Sequence, residues 1–338
     1  MNFDLQKIMA EATQLTRSGR LADAASLLRS AMGGRPAGPT ATAAPVADVI
    51  DVSARRVDAP ASLASSFTEH SFANAADRRD YKLFIPGGAP TGPMPLVVML
   101  HGCTQNPDDF AAGTRMNSLA QSRGFAVLYP AQSKKANPHG CWNWFKHTHQ
   151  TRERGEPALI AGMVRQVMAA QAIDPKRVYV AGLSAGGAMA AILGETFPDL
   201  FAAVGVHSGL AAGAANDLPS AMAAMKNGQA VQRSAGSGKP TIVFHGDADP
   251  TVNIRNARNV LSASVGAAGG ESSRVTGSRS ATREVFKGSD GRVLAELWVV
   301  HGAQHAWSGG GPGGSYTDPA GPDASAEMLR FFGEQRLP

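Results

Sequence analysis

Long apolar runs are missing from this sequence: no stretch approaches the roughly 20 residues needed to cross a bilayer, so no membrane span is expected. Charge of one sign is also in short supply. Lys and Arg number 32 against 27 Asp and Glu, a net charge of +5 with no dense basic block to track phosphates, which argues against nucleic acid as a partner. Cysteine is scarcer still, Cys103 and Cys141 being the only two. A lone pair fits one bridge in an oxidising compartment or two unpaired buried thiols, and the count alone leaves both open. Residues 1–9, with Asp4 and Lys7, lack the charged, then apolar, then small pattern of a secretory signal. Taken alone, that points to the cytoplasm; the cysteine pair points the other way.

What is present is ample material for a core, since 43% of the 338 residues are hydrophobic and 17% charged. The length suits one full-size domain with an appendage. Residues 3–32 carry apolar side chains at helical spacing on both sides of Ser18-Gly19-Arg20, which predicts two short helices joined by a turn. Such a hairpin cannot bury its apolar faces alone, and no second copy follows, so it must dock on the main domain or on another chain. Residues 33–66, rich in Ala, Pro, Gly, Ser and Thr, read as a flexible connector, and the main domain is expected over 67–338. There, short apolar strands at 81–85, 96–100, 126–129, 178–181, 203–206 and 241–244 alternate with amphipathic helices at 108–123, 157–172, 185–195, 253–265 and 323–335. That rhythm predicts an α/β fold, a mostly parallel sheet with helices on both faces. Residues 283–286 and 293–300 flank Gly288-Ser289-Asp290-Gly291 and should form an antiparallel hairpin at one edge.

Gly182-Leu183-Ser184-Ala185-Gly186 falls between a predicted strand and a predicted helix. A serine on so sharp a turn holds its hydroxyl out, and the flanking small residues let the chains pass; the arrangement is that of an α/β-hydrolase nucleophile. Serine is a weak nucleophile without a base, and in this fold the chain order is Ser, acid, His. His305, in a loop of small residues after the last strand, is the preferred base over His301 at the strand end. Asp249, a few residues past the strand that ends near His245, is the preferred acid; Asp247, directly after Gly246, is better placed to hold that turn. His207 and His245, near strand ends, read as hydrogen-bonded core histidines. The oxyanion donors should be the N–H of Ala185 and, in the loop His101-Gly102-Cys103-Thr104-Gln105, that of Cys103. Losing one such donor costs about 3 kcal/mol in the transition state, so the loop must be held still, as a Cys103–Cys141 bridge would do. No metal or organic cofactor is called for.

These segments together carry a resemblance. Residues 100–105, Cys141-Trp142-Asn143-Trp144-Phe145, Gly182 to Gly187, His245 to Asp249 with Val252, and Gly302 to Gly310 resemble the polyhydroxybutyrate depolymerase esterases, the type 1 short-chain-length catalytic domains. The resemblance spans most of residues 80–335 and makes 67–338 an α/β-hydrolase catalytic domain. It implies hydrolysis of 3-hydroxybutyrate polyester or oligomers, Ser184, Asp249 and His305 as the triad, and a disulfide between Cys103 and Cys141. It also favours an extracellular or periplasmic site. Trp142, Trp144 and Trp307, in the same loops, are expected to line an apolar cleft for the polymer. Similar enzymes include feruloyl and acetylxylan esterases and some that cut polyaspartate amides. The sequence departs from secreted depolymerases in showing no leader and no polymer-adsorbing module after the last helix, which favours soluble or amorphous polyester over crystalline granules. Residues 1–32 are then expected to pair two subunits into a homodimer, or else to hold a granule surface. A reading of another class is a non-catalytic granule-binding protein that keeps the fold.

Overall fold

The computed structural model describes residues 64–74, 77–88, 92–228, 238–265 and 270–338, together with Asp23. The chain divides into two units, residues 1–58 and 59–338. Of the expected helical hairpin only Asp23, which is helical, is described; the rest of residues 1–32 and the connector up to residue 63 lie outside the described residues.

The second unit is built on a ten-stranded sheet in the order β1-β2-β4-β3-β5-β6-β7-β10-β9-β8. Its strands are β1 (Ser66–Ala73), β2 (Arg78–Ile85), β3 (Met94–Leu100), β4 (Ala126–Pro130), β5 (Ile173–Leu183), β6 (Ala203–His207), β7 (Thr241–Gly246), β8 (Gly270–Val275), β9 (Ala281–Lys287) and β10 (Val293–Val300). The six strands from β4 to β10 run parallel, while β1 and β2 at one side and β9 and β8 at the other are antiparallel. Buried on both faces, β3 reads as an unbroken apolar run, MPLVVML. Its side chains divide by twos: Leu96, Val98 and Leu100 enter one core cluster, Val97 and Met99 the other.

Each cluster is closed by its own helices. The first takes α3 (Gly155–Ala170), α4 (Ala185–Thr196) and α6 (Arg255–Val265) through residues such as Ile160, Met189 and Leu261; the second takes α1 (Pro107–Thr114), α2 (Met116–Arg123) and α7 (Ala324–Gly333) through Phe110, Met116 and Phe332. Three layers result, the α/β-hydrolase arrangement expected from the sequence. Among the described residues no helix is long and apolar enough to cross a membrane.

One expectation needs correction, and three elements were not expected. The single helix expected over 108–123 is two, because Arg115 adopts a left-handed conformation (φ 53°) that ends α1 and starts α2. The turn lets its guanidinium reach the Gly309 carbonyl (2.8 Å) and Asp323 (3.0 Å), so a tertiary contact overrides helical continuity. The edge strands β1 and β8 escape the apolar rhythm because they bury little: β8, GESSRV, is exposed along nearly its whole length. Helix α5 (Leu218–Asn227) also went unread, although Asp217 accepts from Ser220 N (2.8 Å) and Gly228 closes it in the left-handed region.

Candidate active site

All the groups of interest stand at the carboxyl ends of the central parallel strands, where an open α/β sheet leaves its crevice. At the end of β5, Ser184 has φ 57° and ψ −118°, a conformation costly to an L residue, and α4 begins at the next residue. The neighbouring glycines are there for room. A Cβ on Gly186 would lie 2.0 Å from the Leu100 carbonyl oxygen, and one on Gly182 would lie 2.4 Å from the Gly186 backbone. The Ser184 N–H donates to the His207 carbonyl at 2.9 Å, tying the turn to the end of β6.

After β7 and β10 come Asp249 and His305, the expected acid and base. The Asp249 side chain is fully buried; its Oδ1 accepts the N–H groups of Thr251 (2.8 Å) and Val252 (2.9 Å), and its Oδ2 accepts from His305 Nδ1 at 2.7 Å. Burial alone would raise the Asp249 pKa, but the His305 hydrogen bond and charge and the two backbone amides outweigh it and hold the carboxyl below its ordinary range. An ionised carboxylate only accepts, so the His305 proton resides on Nδ1 and Nε2 keeps its lone pair for a substrate-side proton. Among the described residues no hydrogen bond joins the Ser184 hydroxyl to His305. Bonds of this kind often close only when substrate is present.

The competing pair is separate. Asp247 accepts from His301 Nδ1 (2.8 Å) and from Gly302 N–H (2.6 Å), and the far side of His301 meets the Thr282 hydroxyl at 2.8 Å. This fastens the loop after β7 to the loop after β10. His207 and His245 are both buried, and burial pushes their pKa values down. His207 accepts the Ser308 N–H at 2.9 Å, and His245 donates to the Val252 carbonyl at 2.8 Å, so both brace the loops that hold Asp249 and His305.

The loop after β3 lies against the serine turn: a Cβ on Gly102 would contact Ser184 Cβ at 3.7 Å. Neither Cys103 N–H nor Ala185 N–H is taken by a backbone partner among the described residues, which leaves both free to receive a developing oxyanion. Cys103 is bonded to Cys141, 38 residues further on. Behind the loop, buried His101 donates from Nδ1 to the Gly102 carbonyl (2.8 Å) and accepts the Gln132 N–H on Nε2 (3.2 Å). Burial holds its pKa down at about 4 against the opposing pull of the Gly102 hydrogen bond. The Gln132 side chain in turn donates to the Cys141 carbonyl (2.9 Å) and to Glu156 (2.6 Å), a buried carboxylate that also accepts from the backbone and side chain of Asn143 at 2.7 and 2.6 Å. Gln105 completes the frame by accepting the Gly102 N–H at 2.9 Å. Of this frame, the sequence reading used only the loop and the cysteines. Gln132 and Glu156 carry no motif, and only the hydrogen bond between half-buried Gln132 and buried Glu156 reveals them.

The tryptophans do not line an open cleft. Trp142 and Trp307 are 1% exposed and Trp144 is 5% exposed. The Trp142 indole donates to the His101 carbonyl (3.1 Å), the Trp307 indole to the Ser325 hydroxyl (3.0 Å), and Trp144 packs edge-on against Phe145. Each ring fills the core beneath a site loop because a large amphipathic ring gains more from full burial than from solvent contact.

A strained serine between a parallel strand and a helix, with a buried aspartate and histidine paired on neighbouring strand ends, defines the class as an α/β-hydrolase. The family model for esterase PHB depolymerase matches residues 79–286, and the chain belongs to that family. It is 34% identical over 239 residues to poly(3-hydroxyalkanoate) depolymerase C of Paucimonas lemoignei, covering 65% of this chain and 56% of the relative. It is 31% identical over 250 residues to the poly(3-hydroxybutyrate) depolymerase of Ralstonia pickettii, covering 68% and 51%. The chain thus spans about half the length of these relatives. Feruloyl esterase B of Thermothelomyces thermophilus is 34% identical over a shorter stretch of 140 residues, 41% of this chain and 47% of that protein. Among solved structures, the acetyl xylan esterase of Aspergillus awamori shares the fold with a TM-score of 0.62 at 19% identity, covering 79% of this chain and 99% of that one.

Proposed function

We propose that the protein is a serine esterase that hydrolyses 3-hydroxybutyrate polyester or its oligomers. The observation that carries the reading is the Asp249–His305 hydrogen bond at 2.7 Å, which leaves a basic Nε2 in a chain whose serine sits on a strained strand-to-helix turn. In this scheme Ser184 Oγ attacks the ester carbonyl carbon as His305 Nε2 takes its proton. Asp249 balances the imidazolium, and the N–H groups of Ala185 and Cys103 hold the oxyanion. Collapse expels the alcohol end of the chain with the proton from His305, leaving an acyl-serine. Water then attacks, again with His305 as base, and the hydroxy acid leaves. Each step uses groups of this chain, water and substrate alone.

The substrate class follows the depolymerase relatives, whose matches reach across more of the chain than the feruloyl and acetylxylan esterase matches do. The carbohydrate-ester reading is the second one, favoured by those shorter matches, and polyaspartate amides are the third substrate to assay. A Cys103–Cys141 disulfide supports an oxidising, extracellular or periplasmic location. Pairing of two subunits through residues 1–32, with 33–66 as a connector, remains part of the proposal.

Two experiments test it. Hydroxybutyrate oligomers of defined length, methyl ferulate, acetylated xylan and polyaspartate are assayed side by side; turnover of the oligomers well above the others is expected, and preference for another substrate replaces the reading. Labelling with a fluorophosphonate probe is expected at Ser184. Folded protein that stays unlabelled would leave the non-catalytic, granule-binding alternative standing.

A further inference from the structure

Two residues with side chains hold left-handed backbone conformations beside the oxyanion loop, and their hydroxyls meet. Thr104 has φ 65° and Tyr316 has φ 51°, and the Tyr316 hydroxyl lies 3.2 Å from Thr104 Oγ1. Thr104 gives its single hydroxyl proton to the Cys103 carbonyl at 2.6 Å, so toward Tyr316 it can only accept. The phenol is therefore the donor, and the hydroxyl is engaged in anchoring the ring.

The ring's location is fixed independently. Gln105, which accepts the Gly102 N–H, donates to the Ser315 carbonyl (3.2 Å); Asp109 accepts the Ser315 N–H (2.8 Å); and the Tyr316 carbonyl accepts the Trp307 N–H (2.7 Å). Residues 315 and 316 are thus tied to the loop that carries the Cys103 N–H. Despite this framework the Tyr316 side chain is 47% exposed, one of few large apolar groups in that state among the described residues. Glycine would meet the backbone demand of this left-handed position with less strain, so the turn itself does not call for an aromatic ring. An exposed ring held rigidly next to the oxyanion donors is suited to contact a bound ligand.

Resting on the esterase reading above, we propose that Tyr316 is a specificity-determining residue whose ring face packs against the aliphatic repeat unit next to the scissile ester. A methyl-bearing hydroxybutyrate unit offers the ring apolar surface, and an acetyl ester with a small acyl group offers much less. The inference concerns discrimination between substrates and leaves the bond-breaking steps to other residues.

The test is the ratio of kcat/KM for a 3-hydroxybutyrate trimer to that for p-nitrophenyl acetate, measured with thermal stability in wild type, Tyr316→Gly and Tyr316→Phe. In Tyr316→Gly the ratio is expected to fall about tenfold, chiefly through a higher KM for the trimer. Tyr316→Phe, which keeps the ring, is expected to stay within about threefold of wild type in that ratio. A ratio in Tyr316→Gly that does not move overturns the proposal whatever the stability shows, and so does equal loss on both substrates, which would make the residue a mere support of the loop. The wild-type arm reports on the esterase reading alone: no turnover of the trimer sinks that reading and this proposal with it.

Discussion

His101 donates a hydrogen bond to the carbonyl of Gly102 across 2.8 Å, and that carbonyl belongs to the same peptide unit as the Cys103 N–H. A hydrogen bond received by a peptide oxygen polarises the unit and strengthens its N–H as a donor. The imidazole thus orients and polarises one of the two proposed oxyanion donors without itself reaching substrate.

His101→Leu should lower kcat by about 10- to 100-fold with KM little changed, since an oxyanion donor acts on the transition state. His101→Asn, whose amide can replace the Nδ1 donor, should recover most of that loss. Steady-state kinetics on a p-nitrophenyl ester check both; a loss confined to KM would contradict the role.

The same histidine predicts an acid-sensitive fold. Its native pKa of about 4 lies below the ordinary 6.5, so between these values the unfolded chain binds more protons than the native state. Stability from this group is complete above about pH 6.5 and falls as pH drops toward about 4, by about 3 kcal/mol in all. Burial of His207 and His245 acts in the same direction. Urea unfolding at a series of pH values should show this slope, and His101→Asn should flatten it.

Asp249→Asn should cut kcat by about 10⁴-fold, because His305 loses the acceptor that fixes its tautomer. Asp247→Asn should cost less than about tenfold, its partner being His301. Comparable losses in the two variants would return the choice of acid to open question.

Ser184→Gly should abolish turnover yet stabilise the fold by about 1 kcal/mol, through release of the strained backbone at φ 57°. Thermal unfolding of the variant against wild type reads this directly; a lower melting temperature would count against strain at the turn.

Reduction of Cys103–Cys141 should lower stability by up to about 4 kcal/mol, the chain-entropy value for a loop of this span. Because Cys103 contributes a proposed donor, activity at a temperature where the reduced protein stays folded should also decline. Unfolding curves and rates with and without a thiol reductant separate the two effects.

The central fold was legible because β3, the second half of β5 and β7 are dense apolar segments between amphipathic helices, and burial on both sheet faces writes itself into composition. Ser184, Asp249 and His305 stand out in the sequence for a different reason: the turn needs small residues at fixed offsets, and the loops follow strand ends. The edges were not legible, since β1 and β8 are held by backbone ladders that any polar sequence can make. Nor was the frame of half-buried Gln132 and buried Glu156, whose partners lie on other loops and leave no local pattern. The tryptophans misled because a conspicuous aromatic in a motif-bearing loop reads the same whether it faces substrate or supports the loop from beneath.

The exposed strand β8 has a consequence for solution behaviour. Among the described residues no strand pairs with its outer side, which would welcome a strand from a neighbouring molecule, yet it carries Glu271 and Arg274 among serines and offers little apolar surface to reward such an addition. Sheet-to-sheet growth at this border is therefore discouraged, and crowded or partly denatured samples should resist fibrillar association there.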